Sequence, residues 1–167
     1  QSLTLEALRS SEERFREFAD HVPQVFWIRG RDRRLLFVNP AYERIFGRTV
    51  ESLMQDDSSW MEAVHPDDRT AVTASMAGRG DSNHIEYRVV MPDGAVRWIL
   101  DRSFVIRDAS GEAVRLVGTA EDITERRLSR ARVEAAEEHY RRLVQTSPYG
   151  VYVLDDEGRF AEVNDAG

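Results

Sequence analysis

"RLLFVNPAYERIFG", Arg34 to Gly47, is the stretch whose reading decides the fold. Its opening, Leu35 to Val38, is an apolar run that predicts a short strand. Asn39 and Pro40 interrupt that run. Asn is a preferred helix N-cap and Pro fits the first helical position, so a helix is predicted to follow, with Gly47 just past its end. The same strand-to-Asn signal recurs at the end of the chain, as "RFAEVNDAG", Arg159 to Gly167.

The recurrence is part of a longer repeat. Shifted by 125 positions, Ser11–Tyr42 lies without gaps on Ala136–Gly167. Identical pairs are Glu12/Glu137, Glu13/Glu138, Arg16/Arg141, Pro23/Pro148, Arg34/Arg159, Val38/Val163, Asn39/Asn164 and Ala41/Ala166. A gapless match that keeps Pro, Asn and the apolar pattern marks an internal repeat. The expectation is one full unit followed by the severed start of a second.

Reading outward from Arg34, residues 1–22 carry Leu8, Phe15, Phe18 and Val22 on one helical stripe, ended by Pro23. "QVFWIRG" and "RLLFVN" form a hairpin through "GRDR". Short helices are expected at Thr49, at Ser59 (with Glu62 as a capping box) and at His65, where Pro66 occupies the first helical position. Three long strands follow, "NHIEYRVVM", "AVRWILDRSFVIRD" and "EAVRLVGTAED", separated by turns at Pro92-Asp93-Gly94 and Ala109-Ser110-Gly111. Alternation sets Ile85, Tyr87 and Val89 on one face against Glu86 and Arg88 on the other. Five hairpin-joined strands with helices grouped in the middle predict an α+β fold with an antiparallel sheet. Asp122 is placed to cap a last helix that meets no Gly or Pro before Pro148, a rigid connector. Val133, Ala136, Tyr140 and Leu143 form its apolar stripe, the repeat image of Leu8, Ser11, Phe15 and Phe18. The divisions are therefore a leading helix over 1–22, a core over 23–121, a linker helix over 122–147 and the opening of a second unit over 148–167.

Composition narrows the function. With 41% apolar and 32% charged residues, 167 positions suffice for a packed core. A net charge of −7 argues against a nucleic-acid surface, which needs an excess of Lys and Arg. The absence of cysteine removes disulfides, thiolate catalysis and thiolate-held metals. The longest apolar runs, "VFWI" and "LLFV", are far too short to span a bilayer, so no membrane contact by this segment and a cytoplasmic location are expected, with a membrane anchor elsewhere in a parent chain left open. His21, His65, His84 and His139 stand in no hydrolase, metalloprotease or phosphoacceptor motif, and no catalytic or metal-ligating residue is assigned.

"FVNPAYERIFG", "VHPDDR", "EYRVVMPDGAVRWI" and "GTAEDITERR", in that order, resemble bacterial PAS sensory domains of the PAS-PAC type. The resemblance covers Ser11 to about Arg127, and Ala136 to Gly167. Arg33 departs from it, since the family often has Gly in the first hairpin turn; the second unit has Gly158 there. The resemblance implies a sheet of order 2-1-5-4-3, helices over one face and a cavity between. It places Trp27, Leu36, Val38, Tyr42, Phe46, Tyr87 and Ala120 on the cavity wall. It also implies a relay role for Asp122, Ile123 and Thr124 at the connector, with Arg97 available to pair with Asp122. A signalling parent chain is implied too, a sensor histidine kinase or cyclic-dinucleotide enzyme whose effector domain lies elsewhere in the chain.

A flavin–cysteinyl adduct is impossible without cysteine. Haem would need His65 or His84 as an axial ligand, and each fits a helix start or a solvent-facing strand position better. Non-covalent flavin or a small metabolite stays open. Trp27, Trp60 and Trp98 read first as core. The stripe Leu8, Phe15, Phe18 and Val22 must pack on its own sheet or on a partner, and a homodimer is expected. Two readings remain, a ligand-binding sensor and a ligand-free dimerisation and relay domain.

Overall fold

The computed structural model describes residues 2–78 and 80–164. Helix α1 (Ser2–His21) is followed by the hairpin β1 (Val25–Gly30) and β2 (Leu35–Val38). Then come α2 (Ala41–Phe46), α3 (Val50–Gln55), two 3-10 turns (Ser59–Glu62 and Pro66–Asp68) and α4 (Arg69–Met76). Strands β3 (Ser82–Val90), β4 (Val96–Arg107) and β5 (Ala113–Asp122) form a meander, and α5 (Thr124–Thr146) follows directly. The five strands make one antiparallel sheet in the order β2-β1-β5-β4-β3, the α+β architecture expected.

The chain divides at the start of α5 into residues 1–124 and 125–167. In the first unit one sheet face is covered by α2, α3 and α4, and the core lies between them, with Val25, Ile99 and Ala120 from the sheet against Tyr42, Phe46 and Val72 from the helices. Asp68 takes the Arg88 guanidinium at 2.6 and 3.0 Å and the Arg88 amide at 2.8 Å, which ties the start of α4 to β3. These bonds hold its carboxyl below the usual range. On the opposite sheet face, Phe15 of α1 packs against Phe26 and Phe37, with ring centroids at 6.0 and 5.3 Å. The helical stripe is therefore split. Phe15 meets its own sheet and Val22 is half-buried, while Leu8 and Phe18 stay 65% and 70% exposed.

Three local expectations are corrected. Asn39 does not cap α2 through its side chain; Pro40 stands at the N-cap instead. Fully buried, Asn39 accepts from the Phe26 amide at 2.8 Å and donates to the Ala19 and Gln24 carbonyls at 2.8 and 2.9 Å. It thus pins the end of α1 to the start of β1, because buried backbone groups there need partners and Asn supplies both an acceptor and two donors. Ser59 forms no capping box: it lies inside the first 3-10 turn with its hydroxyl buried and, among the described residues, unpaired, while Glu62 pairs with Arg48 at 2.9 Å. Leu36 is the third, and it concerns the cavity described below.

Arg33 adopts φ 65° in the first hairpin turn, a left-handed conformation. The matching Gly158 has φ 76°. The turn demands the same backbone in both repeats, and in the first a side chain bears the cost.

Within residues 125–167, β6 (Tyr152–Leu154) and β7 (Phe160–Val163) form a hairpin. Asn164 accepts from the Val151 amide at 2.9 Å and donates to the Val144 and Tyr149 carbonyls at 2.8 and 3.1 Å. Each partner is the Asn39 partner displaced by 125 residues, so the repeat is one of bonding as well as of sequence. Asp165, Ala166 and Gly167 lie outside the described residues.

Candidate functional site

The strands and helices of the first unit enclose a cavity of about 160 Å³. Register explains which side chains reach it. Ile85 pairs with Asp101, Asp101 with Ala120, and Ala120 with Val25, one row crossing four strands on the inner face. The next rows bring in Tyr87 on β3 and, through the pair Ser103–Gly118, Trp27 on β1. Gly118 is required there: a Cβ would stand 2.2 Å from the Trp27 ring and 2.7 Å from the Arg102 carbonyl oxygen. The indole thus occupies the space above β5 that a side chain at this point would fill. From the helical layer Tyr42 and Phe46, stacked at 4.9 Å, and Trp60, 6.1 Å from Tyr87, complete the wall.

Of the residues expected on this wall, Trp27, Val38, Tyr42, Phe46, Tyr87 and Ala120 line the cavity. Leu36 does not. The β1–β2 register runs Ile28 to Phe37 and then Arg29 to Leu35, so Leu36 is the bulged residue. A bulge resets the alternation of sides, which turns Leu35 inward and leaves Leu36 55% exposed. Trp60 also borders the cavity, while Trp98 faces the opposite side, with the Arg88 guanidinium 5.6 Å from its ring centre.

The cavity has a polar pole that sequence reasoning missed. The Tyr87 hydroxyl donates to Asp101 Oδ2 at 3.2 Å. Burial pushes the Asp101 carboxyl up to about 6, with the Tyr87 bond and the Arg29 charge pulling it back. Burial likewise raises Tyr87 well above an ordinary phenol and takes Tyr42 to about 12. Both phenols are therefore neutral donors at any ordinary pH. Tyr42 is almost wholly buried, and among the described residues its hydroxyl has no partner. Arg29 borders the same space but is committed, donating to Asp57 Oδ2 at 3.0 Å, the Asp57 carbonyl at 3.1 Å and the Arg33 carbonyl at 2.8 Å.

Size and ligand geometry decide between cofactors. A void of about 150 Å³ accepts one benzene ring, whereas drug-sized ligands occupy about 300–1,000 Å³. At about 160 Å³ the space as it stands matches a ligand of about one ring and is smaller than a haem macrocycle or a three-ring flavin occupies. Neither histidine is placed to ligate in it: His65 accepts from the Asp67 amide at a 3-10 turn, and His84 is exposed on the Glu86/Arg88 side of β3. Among the described residues no cluster of three or more His, Asp or Glu side chains could hold a metal ion.

The expected relay residues meet at the end of the same strands. Ile99 of β4 pairs with Asp122 of β5, two residues beyond the cavity pair Asp101–Ala120. Asp122 Oδ1 accepts from the Thr124 amide and hydroxyl at 3.0 and 2.6 Å. Thr124 Oγ1 in turn accepts from the Trp98 amide at 2.8 Å, and the Ile123 amide donates to the Trp98 carbonyl at 2.8 Å. Ile123 is buried. Arg97 stands 3.8 Å from Asp122 and also donates to the Arg44 carbonyl, which joins α2 to this junction.

A five-stranded sheet of this order, a helix-covered cavity and a clamped strand-to-helix exit define a sensory domain of the PAS class. The comparisons agree: the profile described as "PAS fold" matches residues 35–120, and one described as "PAS domain" matches 138–167. The chain belongs to the PAS family. It is similar to the two-component sensor PprA of Pseudomonas aeruginosa, 28% identical over 148 residues, which is 86% of this chain and 16% of that protein. Sensor protein FixL of Bradyrhizobium diazoefficiens is 30% identical over 118 residues, 66% of this chain and 23% of FixL. Among solved structures, a sensory box histidine kinase/response regulator from Burkholderia thailandensis aligns with a TM-score of 0.55 and 27% identity, covering 78% of this chain and 99% of that one. The chain thus spans less than a quarter of the length of these two sensor proteins. Among the described residues no helix is long and apolar enough to cross a membrane.

Proposed function

We propose that residues 23–121 form a non-catalytic sensor core that holds a ligand of about one ring in the cavity and passes its presence through the Asp122–Ile123–Thr124 junction into α5, toward an effector domain in a larger signalling chain. The observation that carries this reading is the spacing on two shared strands. Asp101 and Trp98 lie on β4, and Ala120 and Asp122 on β5, so a shift of the strands at the cavity is also a shift of the groups that clamp the start of α5. Strands inside a sheet are stiff over two or three residues, which makes the coupling mechanical rather than diffuse.

The test is a titration with single-ring fragments, followed by backbone amide NMR. Binding should shift the amides lining the cavity and, in step, those of Trp98, Ile123 and Thr124. With Thr124→Val the fragment should still bind while the Ile123 and Thr124 shifts fall away. Absence of any fragment binding at millimolar concentration would end the sensor reading.

The exposed stripe supports a second reading, a homodimerisation and relay domain without ligand. Leu8 and Phe18 are 65% and 70% exposed on α1, and such apolar stripes favour a second copy. Sedimentation of the wild type beside Leu8→Glu with Phe18→Glu separates the two, since only this reading requires a dimer that the double substitution dissolves.

A further inference from the structure

We propose that the cavity selects a small organic cation, an amine of about one ring, through the carboxylate of Asp101. This deepens the sensor reading and rests on it.

Four observations point to a cation. Asp101 is the only acid on the cavity wall among the described residues, and there its carboxylate accepts one hydrogen bond, from Tyr87. An ionised carboxylate offers about four acceptor sites, so most of its capacity is left unused by the protein. The Tyr42 hydroxyl is buried and unpaired among the described residues, and it lies close enough to act electrostatically on Tyr87. Trp60, Tyr42 and Tyr87 present rings around the same space, while the Trp27 ring already has the Arg29 guanidinium 5.9 Å from its centre, and aromatic faces attract ammonium groups. Finally, of the two guanidiniums that border the cavity, Arg29 is already neutralised by Asp57, and Arg33, in the first hairpin turn, donates to the Met76 carbonyl at 3.5 Å, so an anionic ligand would meet the Asp101 charge with Arg33 alone to offset it. A cation beside Asp101 instead supplies the partner that a buried carboxylate lacks.

The charged and titratable groups that share the cavity wall with Asp101 are Tyr87 from β3, Arg29 from β1, Arg33 from the β1–β2 turn and the neutral phenol of Tyr42 from α2. Neither phenol ionises near neutral pH and the two arginines stay charged throughout, so Asp101 alone sets the pH dependence there. With a carboxyl near 6, it is ionised at pH 7.5 and mostly protonated at pH 5. Amine affinity should therefore fall about tenfold between those values.

The experiment compares three probes of similar shape, benzylamine, benzyl alcohol and benzoate, by ligand-observed NMR on the full chain. Expected at pH 7.5 is benzylamine binding at least about tenfold tighter than either other probe, with that margin shrinking at pH 5. Asp101→Asn should abolish the margin and the pH dependence while leaving benzyl alcohol affinity near its wild-type value. Equal binding of all three probes to the wild type, or a margin that survives Asp101→Asn, overturns the assignment of Asp101 and leaves the sensor reading standing. No binding by any probe overturns both. The wild-type ranking and its pH dependence need no variant, so a poorly folded Asp101→Asn protein does not shield the proposal.

Discussion

Replacing Asp101 by Asn should stabilise the protein in a strictly pH-dependent way. The carboxyl sits between Ile85 and Ala120 on the inner face of the sheet, and burial raises it from 3.8 to about 6. Between these values the unfolded chain has released the proton and the folded chain still holds it. Wild-type stability therefore declines as pH rises through this window, by about 1.4 kcal/mol per pH unit, and levels off above about 6. The gap amounts to about 3 kcal/mol of stability lost by pH 7. Asn removes the charge and keeps a carbonyl oxygen to accept from Tyr87, so the variant lacks this loss. Carboxylates held low by their partners, Asp68 and Asp81 among them, act in the opposite direction but are shared by both proteins and cancel in the difference. The assay is urea unfolding of wild type and Asp101→Asn at several values between pH 4 and pH 8, followed by tryptophan fluorescence. Trp27, Trp60 and Trp98 all lie in residues 1–124, so the signal reports that unit. The stability of the variant relative to wild type should climb by about 3 kcal/mol from pH 4 to pH 7 and then stay flat. A difference independent of pH, whatever its size, would refute the reasoning.

Two other substitutions probe the frame around the cavity. Asn39→Ala removes three hydrogen bonds, one buried and two partly buried, and leaves the Phe26 amide without its acceptor, a loss of about 2–4 kcal/mol in urea unfolding. Amide exchange at Phe26 should accelerate while that of Val151, held by Asn164, is unchanged. Gly118→Ala drives a methyl into Trp27 and should cost about 1–3 kcal/mol, with a shift in tryptophan emission. Adding Trp27→Leu should recover part of that cost but not all, because the Arg102 carbonyl also blocks the new Cβ, and full additivity of the two changes would show that Trp27 is not the obstacle.

Much of the fold was legible because it is local. The strand before Asn39, the glycines at 94 and 111 with φ near 83°, and the Thr49 cap accepting from Ser52 all follow from residue types within a few positions. The repeat exposed the period of 125 and singled out Asn39 and Asn164 as a matched pair. What it could not show was their role. Asn39 reads as a helix cap because its sequence neighbours form a helix, whereas its partners are 13, 15 and 20 residues back. The Arg33 departure from the family pattern was visible, and its consequence, a side chain held at φ 65°, is backbone geometry.

The polar pole shows where sequence stops. In "WILDRSF" both sides of the strand mix apolar and polar residues, Trp98, Leu100, Arg102 and Phe104 on one and Ile99, Asp101 and Ser103 on the other, so nothing local says that Asp101 turns inward. The row Ile85–Asp101–Ala120–Val25 exists only once β3, β4, β5 and β1 are in register, and β1 reaches β5 from 85 to 95 positions away. One bulge then moved Leu36 off the wall and Leu35 onto it. Short-range patterning therefore determined the elements, their order and the repeated frame, since backbone preference and turn chemistry act within a few residues. Tertiary structure alone decided which side chains share the cavity, because a strand's facing is set by register with distant partners and each one-residue slip exchanges its two sides.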